Sequence, residues 1–147
     1  MKLTLLFGRI CSGKSSLYKD SYRIVASNLV RGIVNSASRE DLQNTMHLDD
    51  TIAEAIIMSI DYVIDENPHV VVDGIRQASI VEKVLQHYPN AELVWLEVPV
   101  EERKRRYEAR KDAKDVEAFE IADNKPIELE CQNIFSIFKE QLRIINN

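Results

Sequence analysis

Apolar residues fall along this chain in two rhythms, short unbroken runs and runs spaced by three and four, and the two alternate from the amino terminus onward. Leu3 to Phe7 is the first unbroken run; it ends in Gly8, which predicts a strand closing on a turn. A helix is expected from about Lys14 toward Ser27 or Asn28, then a second, weaker strand over Leu29 to Val34. The polar segment Asn35 to Asp41 reads as a loop at a strand's carboxyl end, where ligands bind in open α/β sheets. From Asp49 the spacing of Ile52, Ile56, Ile60, Val63 and Ile64 is helical, with Asp49 or Asp50 able to cap the start and Asn67-Pro68 ending it.

His69-Val70-Val71-Val72-Asp73-Gly74 is a β-branched run that predicts a buried strand delivering a carboxylate at its carboxyl end. Ile80, Val81, Val84, Leu85 and Tyr88 mark an amphipathic helix that stops at Pro89-Asn90, and Leu93 to Val98 is a further strand. After Pro99 the charged stretch Glu101 to Lys114 has helical propensity but little apolar face, so it is expected to project into solvent or over a ligand. Ile134, Phe135, Ile137, Phe138 and Leu142 predict a last helix running into a short strand, Leu142 to Ile145. Strands alternating with helices make an α/β domain with a parallel sheet of about five strands in a three-layer arrangement.

Composition narrows the partners more than the fold. A chain of 147 residues, 45% hydrophobic and 29% charged, fits a single globular domain over residues 1–147 without disorder or repeats. A net charge of −5 argues against broad nucleic-acid binding, which needs an excess of Lys and Arg. No apolar stretch approaches the roughly 20 residues that span a bilayer, and Met1 to Phe7 is too short for a signal peptide, so no membrane role and a cytoplasmic location are expected. Cys11 and Cys131 have no metal-type spacing and read as reduced thiols; His47, His69 and His87 share no ligand spacing either.

The chemistry is announced by Gly8-Arg9-Ile10-Cys11-Ser12-Gly13-Lys14-Ser15, followed by Ser16, which fits G-x-x-x-x-G-K-[ST] at every required position. A chance match in a chain this long occurs on the order of once in a few hundred sequences. The glycines let the backbone curl so that successive N–H groups face phosphate oxygens, while the lysine reaches the β- and γ-phosphates and the following serine ligates Mg²⁺. Residues Gly8 to Ser16 are therefore expected to bind ATP, with Lys14 catalytic and Ser15 on the metal. Val70-Val71-Val72-Asp73 has the form of the strand whose carboxylate completes that Mg²⁺ site, which makes Asp73 the second metal residue. An aspartate at a strand end is often no more than a turn or cap signal, so its weight comes from the loop before it.

Phosphoryl transfer needs charge stabilisation, and three regions offer arginines for it: Arg39 in the polar loop, Arg76 after Asp73, and Arg103, Arg105, Arg106 and Arg110 in the charged stretch. Asp73-Gly74-Ile75-Arg76 resembles the Asp-Gly-x-x-Arg region of the P-loop nucleoside monophosphate kinases with the arginine one place early, and is similar to the Asp-Gly-Val-Arg form of archaeal adenylate-kinase-related proteins. Trp95 to Pro99 followed by Arg103, Arg106 and Arg110 resembles that group's fourth strand and arginine-bearing lid helix. The resemblance spans nearly the whole chain through short motifs. It implies a P-loop fold with a short helical lid over residues 101–125, Arg39 and Arg76 on the acceptor phosphate, and Arg106 or Arg110 swinging over the transferring group. It also implies a base contact near Asn146 and Asn147. Arg9, a bulky charge inside the phosphate loop, and the short lid depart from the family pattern. The bland alternative for residues 101–114 is a solvated helix laced by Glu/Arg pairs such as Glu101 with Arg105 and Glu102 with Arg106.

These readings converge on MgATP-dependent phosphoryl transfer to a small-molecule nucleotide, a nucleoside or deoxynucleoside monophosphate. Alternatives are a P-loop kinase acting on a hydroxyl, as of dephospho-coenzyme A or a polynucleotide 5′-end, a regulatory ATPase, or a binding module with a decayed site. No Asn-Lys-x-Asp guanine-reading motif is present, and a homodimer is compatible with the sequence.

Overall fold

The computed structural model describes residues 2–33, 48–110 and 117–147. Arg39, the polar loop around it, and residues 111–116 of the lid-like segment lie outside the described residues.

Five strands pair in parallel in the order β2-β3-β1-β4-β5: β1 Lys2–Gly8, β2 Tyr22–Val25, β3 His69–Asp73, β4 Glu92–Glu97 and β5 Leu142–Asn146. Their side chains alternate across the sheet, as the pleat requires. Leu3, Leu5, Phe7, Val70, Val72, Leu93 and Trp95 enter the main core, while Leu6, Val71, Val94 and Leu96 form a smaller cluster with Leu17, Tyr18 and Ile145. The main core is closed by α2 Asp49–Val63, α3 Ala78–His87 and α6 Pro126–Ile137, through Ile52, Ile56, Ile60, Ile80, Val81, Val84, Cys131 and Ile134. Such fully buried aliphatics contribute about 1.5–3 kcal/mol each, which locates the source of the sheet's rigidity. Two more helices, α1 Ala26–Ile33 and α4 Val100–Arg110, and a short one, α5 Phe119–Asp123, complete the described chain. No helix among the described residues is long and apolar enough to cross a membrane.

Three expectations need correction. The long helix from Lys14 does not form: only a single 3-10 turn, Lys14–Ser16, follows the loop. Leu17 is extended, Tyr18 takes a left-handed φ of 57°, and the Ser21 N–H closes a turn onto the Tyr18 carbonyl. The second strand is accordingly Tyr22–Val25, and the segment read as strand from Leu29 lies in α1 up to Ile33. There Ala26, Leu29, Val30 and Ile33 recur at three and four, and all four pack on the main core. Finally, Leu48 rather than an aspartate holds the cap position of α2. Asp49 and Asp50 lie inside the first turn, where a negative charge complements the positive end of the helix dipole.

The helix expected to have little apolar face buries two of its residues, Arg103 and Tyr107. Tyr107 packs with Phe119, Ala122, Ile10 and Cys11, so α4 and α5 rest on the loop that follows β1.

Candidate functional site

Strand order places the site. β1 lies between β3 and β4, and Leu6 is in register with Asp73, so the loop after β1 and the end of β3 open side by side at the carboxyl edge of the sheet. Open parallel sheets bind ligands in that crevice. Here it is a cleft of about 380 Å³ whose lining includes Ile10 to Ser15, Asp73, Gly74, Arg76, Arg110 and Glu128.

The loop is built by backbone turns. Cys11 and Gly13 adopt φ of 61° and 92°, and the Ser12 N–H bonds the Arg9 carbonyl at 3.1 Å. At Gly13 any side chain would also be crowded, since a Cβ would lie 2.5 Å from the Asn147 amide nitrogen. The Lys14 ammonium folds back over the loop, donating to the carbonyls of Gly8 at 2.8 Å and Arg9 at 3.3 Å and approaching Ser12 Oγ at 3.5 Å. Burial and then the Arg76 charge bring its pKa down to about 8, against the pull of Cys131, Asp73 and Glu128. Ser15 stands exposed at the cleft edge, with Ser16 behind it in the same turn.

Asp73 reaches the cleft from the end of β3, and Gly74, with φ of 93°, turns the chain immediately beyond it. Its Oδ2 accepts from Arg23 Nη1 at 2.8 Å, while another nitrogen of that guanidinium holds the Leu17 carbonyl. Arg23 is in β2, two residues before the position in register with Asp73, and thus clamps the end of one strand to its neighbour. The groups fit a magnesium nucleotide: a curled backbone and an ammonium suit phosphate oxygens, and a hydroxyl with a carboxylate oxygen suits Mg²⁺, which keeps several waters.

The arginines divide in a way their spacing does not show. Arg76 lines the cleft and is paired with the Glu128 carboxylate. Burial opposes its charge, but Glu128, Cys131 and Asp73 outweigh burial and hold its pKa above the ordinary value. Arg9 turns away from the cleft: its Nη2 bonds the Asp123 carbonyl and lies 3.0 Å from the Asp123 carboxylate, and its Nη1 bonds Gln132 at 3.3 Å. Arg9, the bulky charge inside the loop, is therefore a strut between the loop and α5 and α6; only its backbone takes part in the loop. Arg103 is a strut as well, buried against Asp123 at 2.5 and 3.4 Å and against the Ile10 and Val98 carbonyls. Arg106 reaches the loop, donating to the Cys11 carbonyl at 3.3 Å and to the Asn147 main-chain oxygen at 2.7 Å, with Glu102 at 3.2 Å. Arg110 lines the cleft with its guanidinium 5.1 Å above the Tyr107 ring. The expected Glu101 with Arg105 pair is replaced by Glu102, which takes both Arg105 and Arg106.

Asn147 donates from its side chain to the Ser12 carbonyl at 2.9 Å and from its backbone to Glu97 at the same distance, so the end of β5 lies beside the phosphate loop. Sequence reasoning missed Glu128, Arg23, Asp123 and the strut roles of Arg9 and Arg103. The one signal for Glu128 was an acid two residues after Pro126, which marks a helix start and says nothing of a site.

No protein-family model and no curated protein matches the chain. Solved structures do match it. A sugar kinase from a Janibacter species aligns at 12% identity over 99% of this chain and 85% of that one, with a TM-score of 0.61. Shikimate kinase from Bacteroides thetaiotaomicron aligns at 15% identity over 99% and 86%, with a TM-score of 0.55. A chain of the Pnkp1/Rnl/Hen1 RNA repair complex aligns at 19% identity over 93% of this chain, with a TM-score of 0.60, and this chain spans 46% of its length. The chain is thus similar in fold to P-loop kinases, an all-parallel five-stranded sheet flanked by helices.

Proposed function

We propose that this protein transfers the terminal phosphoryl group of MgATP to a nucleoside or deoxynucleoside monophosphate. The carrying observation is that Lys14 and Ser15, from the turn after β1, and Asp73 and Arg76, from the end of β3 and just beyond it, line one cleft at the carboxyl edge of the sheet. Bound MgATP would supply the phosphoryl group and the metal's charge. The chain's own residues then have distinct tasks: loop amides and Lys14 neutralise the donor phosphates, Ser15 and Asp73 hold the cation, and Arg76 receives the acceptor phosphate. Arg106 and Arg110 stand on the helix beside the loop, from which either reaches charge developing on the transferred group.

The state of the cleft's acids supports an acceptor that is already ionised. A hydroxyl acceptor gains from a carboxylate able to take its proton. Among the described residues, the two acids lining the cleft, Asp73 and Glu128, are engaged by guanidinium groups. A phosphate acceptor has no proton to lose and needs positive charge, which Arg76 provides.

The test is incubation with MgATP and a panel of ribo- and deoxynucleoside monophosphates, dephospho-coenzyme A and 5′-hydroxyl oligonucleotides, following ADP and phosphorylated acceptor together. One phosphorylated monophosphate is the expected outcome. Phosphorylation of a hydroxyl acceptor alone, or ADP release without acceptor product, would overturn the reading in favour of a different kinase or of an ATPase. Arg76→Ala is expected to raise the acceptor KM about tenfold to a hundredfold, the range for losing a charged hydrogen bond, with little change in the KM for MgATP.

A further inference from the structure

Glu128 lies in the first turn of α6 and is 5% exposed, with its carboxylate in the phosphate cleft. One oxygen, Oε1, accepts from the Ile10 N–H of the phosphate loop at 2.6 Å, and the other is paired with Arg76. Arg9 Nε, buried and without a hydrogen-bond partner, lies 3.9 Å from the same Oε1. A buried carboxylate persists only where donors and positive charge compensate its lost hydration. Its partners here, a loop amide and a guanidinium group, are the kinds of donor a phosphate oxygen takes. Glu128 is an anion the chain itself places in a site for anions.

We propose that Glu128 is a resident counter-anion of the cleft: it positions Arg76 against the phosphate loop for the acceptor and, through its charge, weakens the loop's hold on nucleotide phosphates. The two effects follow from one geometry. Pairing with Glu128 fixes the Arg76 guanidinium, whose five N–H donors leave others for a ligand. The same negative charge sits against the first turn of the loop that must accept further negative charge. The acceptor half rests on the phosphoryl-transfer reading above; the nucleotide half rests on the loop.

The two halves predict opposite signs. Glu128→Gln keeps the shape and removes the charge. It is expected to tighten MgADP about threefold to tenfold by titration calorimetry at low salt, and to raise the acceptor KM by about tenfold. Glu128→Asp keeps the charge but withdraws it by one methylene group, so MgADP affinity should stay near wild type while the acceptor KM still rises. A residue that merely stabilised the fold would weaken both ligands in both variants. MgADP affinity unchanged or weakened in a folded Glu128→Gln protein would overturn the proposal. Should that variant fail to fold, an unchanged acceptor KM in Glu128→Asp would overturn it instead. If the wild type binds MgADP but phosphorylates no monophosphate, the phosphoryl-transfer reading fails alone, and the MgADP titration of Glu128→Gln still decides the role of Glu128.

Discussion

The loop after β1 and the arginines around it are held in place by different physical routes. From Gly8 to Ser15 the chemistry is local: backbone turns at Cys11 and Gly13, and a lysine that bonds carbonyls within six residues of itself. The arginines act through long side chains whose partners come from anywhere in the fold. Arg9 and Arg103 share Asp123, Arg76 takes Glu128, and Arg23 takes Asp73. A backbone-built site survives as a spacing, whereas the role of an arginine depends on which carboxylate the fold brings to it.

The sharpest break of that contrast is Arg103→Ala. Its guanidinium is buried against Asp123 on the charged helix that sequence alone allots to solvent or to a lid. Removing it leaves Asp123 with Arg9 at 3.0 Å as its remaining guanidinium partner and is expected to cost about 1.5–3 kcal/mol, read from urea unfolding. A loss below about 1 kcal/mol would return Arg103 to the lid set. Lys14→Ala should instead leave the unfolding midpoint near wild type and lower kcat/KM by about 10²–10³, the scale for removing one stabiliser of developing charge. Arg106→Ala falls between the two kinds. Its pair with Glu102 is solvent-screened, so the unfolding midpoint should stay near wild type, while loss of its reach to the loop should lower kcat about tenfold with both KM values little changed.

The smallest effect is in pH. Lys14, with a pKa near 8 in place of 10.5, is charged below that pH, and MgADP affinity measured by titration should fall as pH rises through it. The contribution of Lys14 to stability has the opposite sign: between about 8 and 10.5 the unfolded chain holds the proton more tightly than the folded one, so stability from this group rises with pH. Opposite slopes for binding and unfolding in one pH window would assign both to Lys14.

Elements with a full period of apolar residues were legible in advance: β1, β3, β4, α2 and α3 are found where the pattern puts them, because each buries a complete face. The stretch from Lys14 to Ile33 was not. Its apolar spacing is as compatible with a long helix and a strand as with a turn, a strand and a helix, and the decision fell to the left-handed Tyr18 and to pairing of Tyr22–Val25 with β3. Tertiary pairing overrode local propensity there.

By itself the sequence determined the α/β class, four of the five strands and the spacing that sets the Gly8–Ser15 loop and Asp73 at strand ends, since these follow from period, turn chemistry and spacing along the chain. Only the tertiary structure decided that Arg9 and Arg103 are struts, that Arg76 is held by an acid 52 residues away, and that Glu128 belongs to the cleft. A charge has no period, and its energy depends on what stands within a few ångströms of it in the folded protein.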